Sequence, residues 1–105
     1  MTTYHYILAS RRFLLEEEPF PEVLAERHRN YAEQNKEIDF WLIEQPAFVE
    51  GLPAEQVNCP RPAAAVVSTD ATFITWLKLR LEYVITGSFE APSETIPDPL
   101  ASLVA

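Results

Sequence analysis

Apolar positions along the chain fall into four short runs and two longer ones with helical spacing. Thr3 to Ser10 is β-favouring, with Tyr4, Tyr6 and Leu8 on one face and His5, Ile7 and Ala9 on the other, so it predicts a strand with bulk on both sides. Ile38 to Gln45 predicts a second strand in which Ile38, Phe40 and Leu42 alternate with Asp39, Trp41 and Ile43. Neither face is plainly the wet one, which implies cover on both. Ala63 to Ser68 predicts a third strand and Ser88 to Ala91 a fourth. A first helix is predicted from about Pro21 to Asn35. There Glu16, Glu17 and Glu18 meet the positive dipole end, and Pro19 and Pro21 lose no needed hydrogen bond.

The second helix is predicted over Thr72 to Ile85, with Thr69 or Asp70 as N-cap and Thr86 and Gly87 as the stop. At about 100° per residue, Phe73, Ile74, Leu77, Leu81 and Val84 share one face, while Trp76, Leu79 and Tyr83 form a second ridge beside it. One face can pack on a sheet; the second needs another partner. Arg80 falls on the wheel between Trp76 and the core face, which sets a charge at the rim of that ridge.

Between the second and third strands, Pro46 to Pro62 holds four of the nine prolines and one of the two glycines, and reads as a long loop with room for a short helical turn. The segment after Ala91 is proline-rich and without period, so the expected organisation is one α+β domain over residues 1–91 and a tail over 92–105, with Ile96, Leu100 and Leu103 as its candidate anchors. The order βαββαβ predicts a four-stranded antiparallel sheet with both helices on one face, a ferredoxin-like sandwich. The opposite face is then expected to be bare and aromatic.

With 105 residues the chain is sized for one two-layer core, so surfaces are expected to matter more than deep clefts. Its formal charge of -8, from 16 acidic and 8 basic side chains, repels a phosphate backbone and excludes nucleic acid as a favoured partner. No apolar run approaches the roughly 20 residues that span a bilayer. Cys59 is the single cysteine, so nothing calls for an oxidising compartment. The segment TTYHYILAS has neither a signal-peptide core nor Arg-rich transit character, and the expectation is a chain made in the compartment where it works.

Phosphate-cradling loops need closely spaced glycines, and Gly51 and Gly87 are far apart. No serine has the flanking glycines of a nucleophile elbow. Cys59 with His28 or His5 is a conceivable nucleophile and base, but a lone loop cysteine is usually inert. Two histidines and one cysteine leave little for a zinc or iron site, and the Glu-x-x-His pattern of di-iron carboxylate helices is absent, Ala25 standing three residues before His28. No metal or cofactor is expected. Glu16 to Glu18 read as a solvated helix entry or a docking patch, and His28, between Arg27 and Arg29, as a surface residue. The candidate binding surface is therefore Trp76, Leu79 and Tyr83 as an apolar patch, with Asp39, Phe40 and Arg80 as the charged and aromatic types that act as hot spots. The plain alternatives are that the patch tucks under the tail or loop, and that Asp39 and Arg80 form an internal ion pair.

The stretches YILAS, FLLEEEP, EQNKEIDFW, QPAF and TFITWLKLRLEYV, followed by FEAPSETIPDPLASL, resemble the small auxiliary protein of the aerobic Mg-protoporphyrin IX monomethyl ester oxidative cyclase of cyanobacteria and plastids. The likeness runs nearly end to end and is weakest over Val49 to Arg61. It implies a non-catalytic accessory or assembly factor of chlorophyll biosynthesis whose direct partner is the di-iron catalytic subunit, with contacts at Asp39 and Phe40 within EIDFW and Arg80 within LKLRLEY. It also implies a location in cyanobacterial cytoplasm or plastid stroma, with thylakoid association through the partner and no membrane insertion. Two other classes stay open. A bare aromatic face with Tyr4, Tyr6 and Trp41 would suit a flat tetrapyrrole or a small cofactor-free oxygenase, and the apolar surfaces could instead form a homo-oligomer.

Overall fold

The computed structural model describes residues 2–17, 20–81 and 84–102. Four strands, β1 (Thr2–Ser10), β2 (Phe40–Glu44), β3 (Ala63–Ser68) and β4 (Ile85–Ala91), pair antiparallel in the spatial order β2-β3-β1-β4. Helices α1 (Phe20–Glu33) and α2 (Ala71–Arg80) are the two crossovers, between β1 and β2 and between β3 and β4. This is the expected ferredoxin-like sandwich. β3 is buried at all six positions, because it lies between β1 and β2 and is covered above and below.

The helix-side core joins Ile7 and Ala9 of β1, Val66 of β3, Leu24 of α1 and Phe73, Ile74 and Leu77 of α2. A wide π-type turn, Phe13–Glu17, precedes α1 and buries Leu14; Glu18 and Pro19 lie outside the described residues. α1 ends two residues earlier than predicted. Asn35 there takes a left-handed φ of 55°, and Lys36 N–H donates to the Tyr31 carbonyl at 2.9 Å while Asn35 N–H donates to that of Ala32 at 3.3 Å. That pair of bonds closes a helix, and asparagine tolerates the left-handed position better than most side chains do.

Three sequence expectations are corrected. First, α2 stops at Arg80 rather than Ile85, and Leu81 is already extended at φ -111° and ψ 128°. Pairing of Ile85 with Leu8 starts β4 there, so the chain must leave the helix early; Leu81 and Val84 still reach the core, but from the connection. Second, Gly87 is no helix stop. It faces Tyr6 in the β1–β4 ladder, and a Cβ there would lie 2.6 Å from the Tyr6 hydroxyl oxygen.

Third, the far face of the sheet is covered. Tyr6, Leu8, Ile43, Ala65, Val67 and Phe89 form a second core with Phe48, Val49 and Val57 of the Pro46–Pro62 segment and Ile96 beyond β4. That segment makes two short 3-10 turns, Ala47–Gly51 and Ala54–Gln56. Residues 92–102 lie against it: Ala47 N–H donates to the Ala101 carbonyl at 2.8 Å, and Ser102 Oγ donates to the Glu44 carbonyl at 2.6 Å. A side chain at Gly51 would collide with the Thr95 carbonyl and Ile96. Of the expected anchors, Ile96 is buried and Leu100 packs at the edge, while Leu103 lies outside the described residues.

Candidate functional site

Asp39 sits where β2 begins and β3 ends. Its backbone carbonyl accepts from Ser68 Oγ at 2.7 Å and from Thr69 N–H at 3.1 Å, and Ser68 Oγ accepts from Asp70 N–H at 2.9 Å. These bonds seat the first turn of α2 beside β2. Asp70 then caps the helix, its Oδ1 accepting from the N–H groups of Thr72 at 3.0 Å and Phe73 at 3.3 Å.

A second chain of polar contacts runs over this junction through side chains. Tyr31 Oη donates to Asp39 Oδ1 at 2.8 Å, Arg27 Nη2 donates to Tyr31 Oη at 2.9 Å, and Arg27 Nη2 lies 3.7 Å from Asp70 Oδ2. Four side chains thereby tie α1 to β2 and α2. The Arg27 guanidinium also lies 3.7 Å from the centre of the Phe73 ring, a cation–π contact worth about 0.5–2 kcal/mol depending on how dry it is. Its Nε is buried with no hydrogen-bond partner.

Phe40 is fully buried beneath this network. It meets Tyr31 edge-on with centroids 5.1 Å apart, Phe73 at 5.8 Å and His28 at 4.7 Å. The expectation that Phe40 offers a contact surface is therefore corrected: its inward pleat position makes it the support of Tyr31 and Phe73. Asp39 is half-buried, and its carboxylate is engaged by Tyr31. Nor do Asp39 and Arg80 pair. Asp39 lies beside the first turn of α2 and Arg80 closes the last, about 14 Å of helical rise away. The Arg80 guanidinium instead lies 5.3 Å from the Trp76 ring centre.

Trp76 is 49% exposed and Leu79 82% exposed, so the second ridge of α2 stays uncovered by the loop and by residues 92–102. Trp76 is held from below by Phe73, the rings 6.4 Å apart and within 18° of parallel. Tyr83 lies outside the described residues. Shallow depressions of about 320–340 Å³ flank the Trp76 ring, reaching Arg27 and Asp70, Val23 and Asn30 on α1, and Thr75 and Leu79. Sequence reasoning missed Arg27 and Tyr31, reading Arg27 as part of a surface cluster with His28 and Arg29. Their i, i+4 spacing on α1 was the available signal.

Away from this patch the chemistry is sparse. Cys59 lines an open depression of about 470 Å³ with Ser10, Phe13 and Asn58, and burial pushes its thiol up, against the opposing pull of Arg61. Burial likewise raises Tyr6. His28, Glu16 and Glu17 are exposed. Among the described residues no group of three or more His, Cys, Asp or Glu side chains is placed to hold a metal ion, and no helix is long and apolar enough to cross a membrane.

Fold and site define a ferredoxin-like α+β protein with an uncovered apolar patch, Trp76 and Leu79, on its helical layer. Residues 2–91 match the family described as Ycf54 protein. The chain belongs to that family. It is 62% identical to a Ycf54-like protein of Synechocystis sp. PCC 6803 over 98% of this chain and 79% of that one. A chloroplastic YCF54 protein of Arabidopsis thaliana is 45% identical over 96% of this chain and 47% of its own length. An X-ray structure of a Nostoc sp. PCC 7120 protein superposes with a TM-score of 0.93 at 67% identity, covering 98% of this chain and 97% of that one.

Proposed function

We propose that this protein is a non-catalytic accessory factor that binds and stabilises the di-iron catalytic subunit of the Mg-protoporphyrin IX monomethyl ester cyclase in chlorophyll biosynthesis. The resemblance of TFITWLKLRLEYV and its neighbouring stretches supplies the cyclase. Membership of a family with cyanobacterial and chloroplast relatives is consistent with it. The observation that carries a docking role is a contrast in cover: most of the more aromatic sheet face is covered by the chain itself, while Trp76 and Leu79 on the outer side of α2 remain 49% and 82% exposed beside Arg80. A tetrapyrrole or oxygenase reading is less well supported: of the three aromatics that motivate it, Tyr6 is fully buried against Phe48 and Phe89, while Tyr4 and Trp41 are half-buried at the edge of the same core.

The test is capture of the cyclase catalytic subunit by the tagged protein and by Trp76→Ala, Leu79→Ala and Arg80→Ala. Fully burying such a side chain is worth about 1.5–3 kcal/mol. Leu79→Ala, which keeps the β-carbon, is therefore expected to weaken binding by about 1–2 kcal/mol, roughly 5- to 30-fold. Its thermal stability should be nearly unchanged, since an exposed side chain contributes little to the fold. Unchanged capture by all three variants would sink the docking role of this patch.

A further inference from the structure

The outer face of α2 is built of two unlike halves. Leu79 stands out near the C-terminal end, and a depression of about 340 Å³ runs from Ala71 and Thr72 past Thr75 towards it, with the Trp76 ring along one side. All of that lining belongs to α2, so the chain itself offers no second wall. Charge is divided along the same helix. Arg80, at the C-terminal end, lies over the Trp76 ring and meets no carboxylate among the described residues. Asp70, at the N-terminal end, caps the helix through Oδ1. Its Oδ2 has Arg27 at 3.7 Å, too far for a hydrogen bond, and the side chain is 35% exposed. Glu26, the other carboxylate at the depressions around Trp76, is bound by Arg29 at 2.9 Å.

A second α2 running antiparallel supplies what each half lacks. A two-fold axis through Thr75, at right angles to the helix, sets Ala71 opposite Leu79 and Asp70 opposite Arg80, because the members of each pair are equally far from Thr75 along the chain. Leu79 of one copy then enters the depression at Ala71 of the other, and Arg80 reaches Asp70 Oδ2. Symmetry makes both contacts twice. The axis also keeps the flanks that face α1 on one side of the pair. Asp70 and Arg80 both lie on that flank: Asp70 faces Arg27 of α1, and Arg80 covers Trp76, which borders Val23 and Asn30 of α1. Antiparallel helix dipoles add to the match, since the basic last turn of each helix lies beside the acidic cap of the other.

We propose that this face of α2 is a self-association surface: two copies pair through antiparallel α2 helices and cover Trp76 and Leu79 when no other partner is present. Two ten-residue helices in contact bury less than about 1,200 Å², the range of weak and transient contacts. The dimer is therefore expected to exchange readily, with a dissociation constant of about 10 μM to 1 mM. Self-association does not depend on who the other partner is. Its competition with the cyclase subunit for Trp76 and Leu79 rests on the docking role proposed above, and makes the dimer a partner-free state that must open before docking.

Sedimentation equilibrium of the full chain over about 10 μM to 1 mM reads the association directly, and a monomer throughout overturns the proposal. Exchanging knob and hole tests the register. Leu79→Ala removes the knob and Ala71→Leu fills the hole, so each alone is expected to weaken the dimer about 5- to 30-fold. The double variant again sets large against small across the axis and should recover most of the affinity. Both positions are exposed, so the fold of the single chain is kept. Losses that simply multiply in the double variant overturn the pairing. Cys59 is the single cysteine, so in a Cys59→Ser background Thr75→Cys places one thiol on the axis. Oxidation should give a covalent dimer there, whereas Glu55→Cys, in the 3-10 turn over the opposite sheet face, should not; equal yields count against the proposal. The locked Thr75→Cys dimer should fail to capture the cyclase catalytic subunit until it is reduced. Capture by the locked dimer would leave self-association standing and move the cyclase site off α2, so the two readings fail separately.

Discussion

Replacing Gly87 by alanine tests the account of the second core at a single methyl group. No glycine in the described chain has a positive φ, so this position does not need glycine for its backbone angles; it needs space. A Cβ would stand 2.6 Å from the Tyr6 hydroxyl oxygen and 2.8 Å from Cζ, well inside contact distance. The Tyr6 ring has nowhere easy to go: it is fully buried, 5.0 Å from Phe48 and 6.0 Å from Phe89 by ring centroids, and its hydroxyl donates to the Gln56 carbonyl at 3.3 Å. Forcing a methyl into such packing costs about 1–3 kcal/mol. Against this, alanine recovers about 0.5–1 kcal/mol of the backbone entropy that glycine loses on folding. The steric cost wins, and Gly87→Ala should be destabilised by about 1–2 kcal/mol in urea titration, a fall in Tm of roughly 4–16 °C for a domain of this size. The decisive arm is Tyr6→Leu, which removes the ring. Alone it costs stability, but in that background Gly87→Ala should become neutral or better, a coupling of about 1–2 kcal/mol in the double-mutant cycle. Additive behaviour, or a Gly87→Ala protein as stable as wild type, would refute the contact.

Tyr31→Phe removes the hydroxyl shared by Arg27 and Asp39 and should cost about 1–2 kcal/mol in urea unfolding, while the phenyl ring that remains keeps the edge contact with Phe40. Asn35→Gly should leave stability within about 0.5 kcal/mol, whereas Asn35→Ala, forced to the same φ of 55°, should lose about 1 kcal/mol; equal values would mean that the helix end relaxes. Burial raises the Cys59 thiol and the Tyr6 phenol above their ordinary values. The folded state then holds these protons longer than the unfolded state does. Their contribution is complete below the unfolded values and is lost as pH rises through the folded ones. Urea midpoints should therefore decline on the alkaline side, and Cys59→Ser should flatten the thiol's part of that decline.

Much of the architecture was legible because its signals are local. AAAVVS reads as a strand and is one, from Ala63 to Ser68, buried at every position. Thr69 or Asp70 reads as the N-cap, and Asp70 is the one that accepts two backbone N–H groups. What misled was set by distant pairing. Nothing within LEYVITG says that Ile85 must lie opposite Leu8, so the helical period carries on across Leu81 in the sequence although the chain turns extended there. The cover over the far face was hidden for a related reason: Phe48, Val57 and Ile96 sit in proline-rich segments without period. Their burial depends on where those segments fold back. In the candidate site, Trp76 and Leu79 were found by excess apolarity on the helical wheel, while Arg27 was masked by its charged neighbours.

The placement of Asp39 and Phe40 changes what their substitution would mean. Phe40 is sealed, and one oxygen of the half-buried Asp39 carboxylate accepts from Tyr31. Their influence on a partner would pass through Tyr31 to Arg27, and through Phe73 to the tilt of Trp76. A loosened network leaves Leu79 and Arg80 in place but lets Arg27 and the Trp76 ring sample other rotamers, so binding must then meet the cost of reordering them. Loss of a direct carboxylate contact would instead spare Tyr31→Phe. Parallel weakening of capture by Asp39→Ala and Tyr31→Phe therefore identifies the pair as one positioning device, and a normal Tyr31→Phe beside a defective Asp39→Ala would return Asp39 to the interface itself.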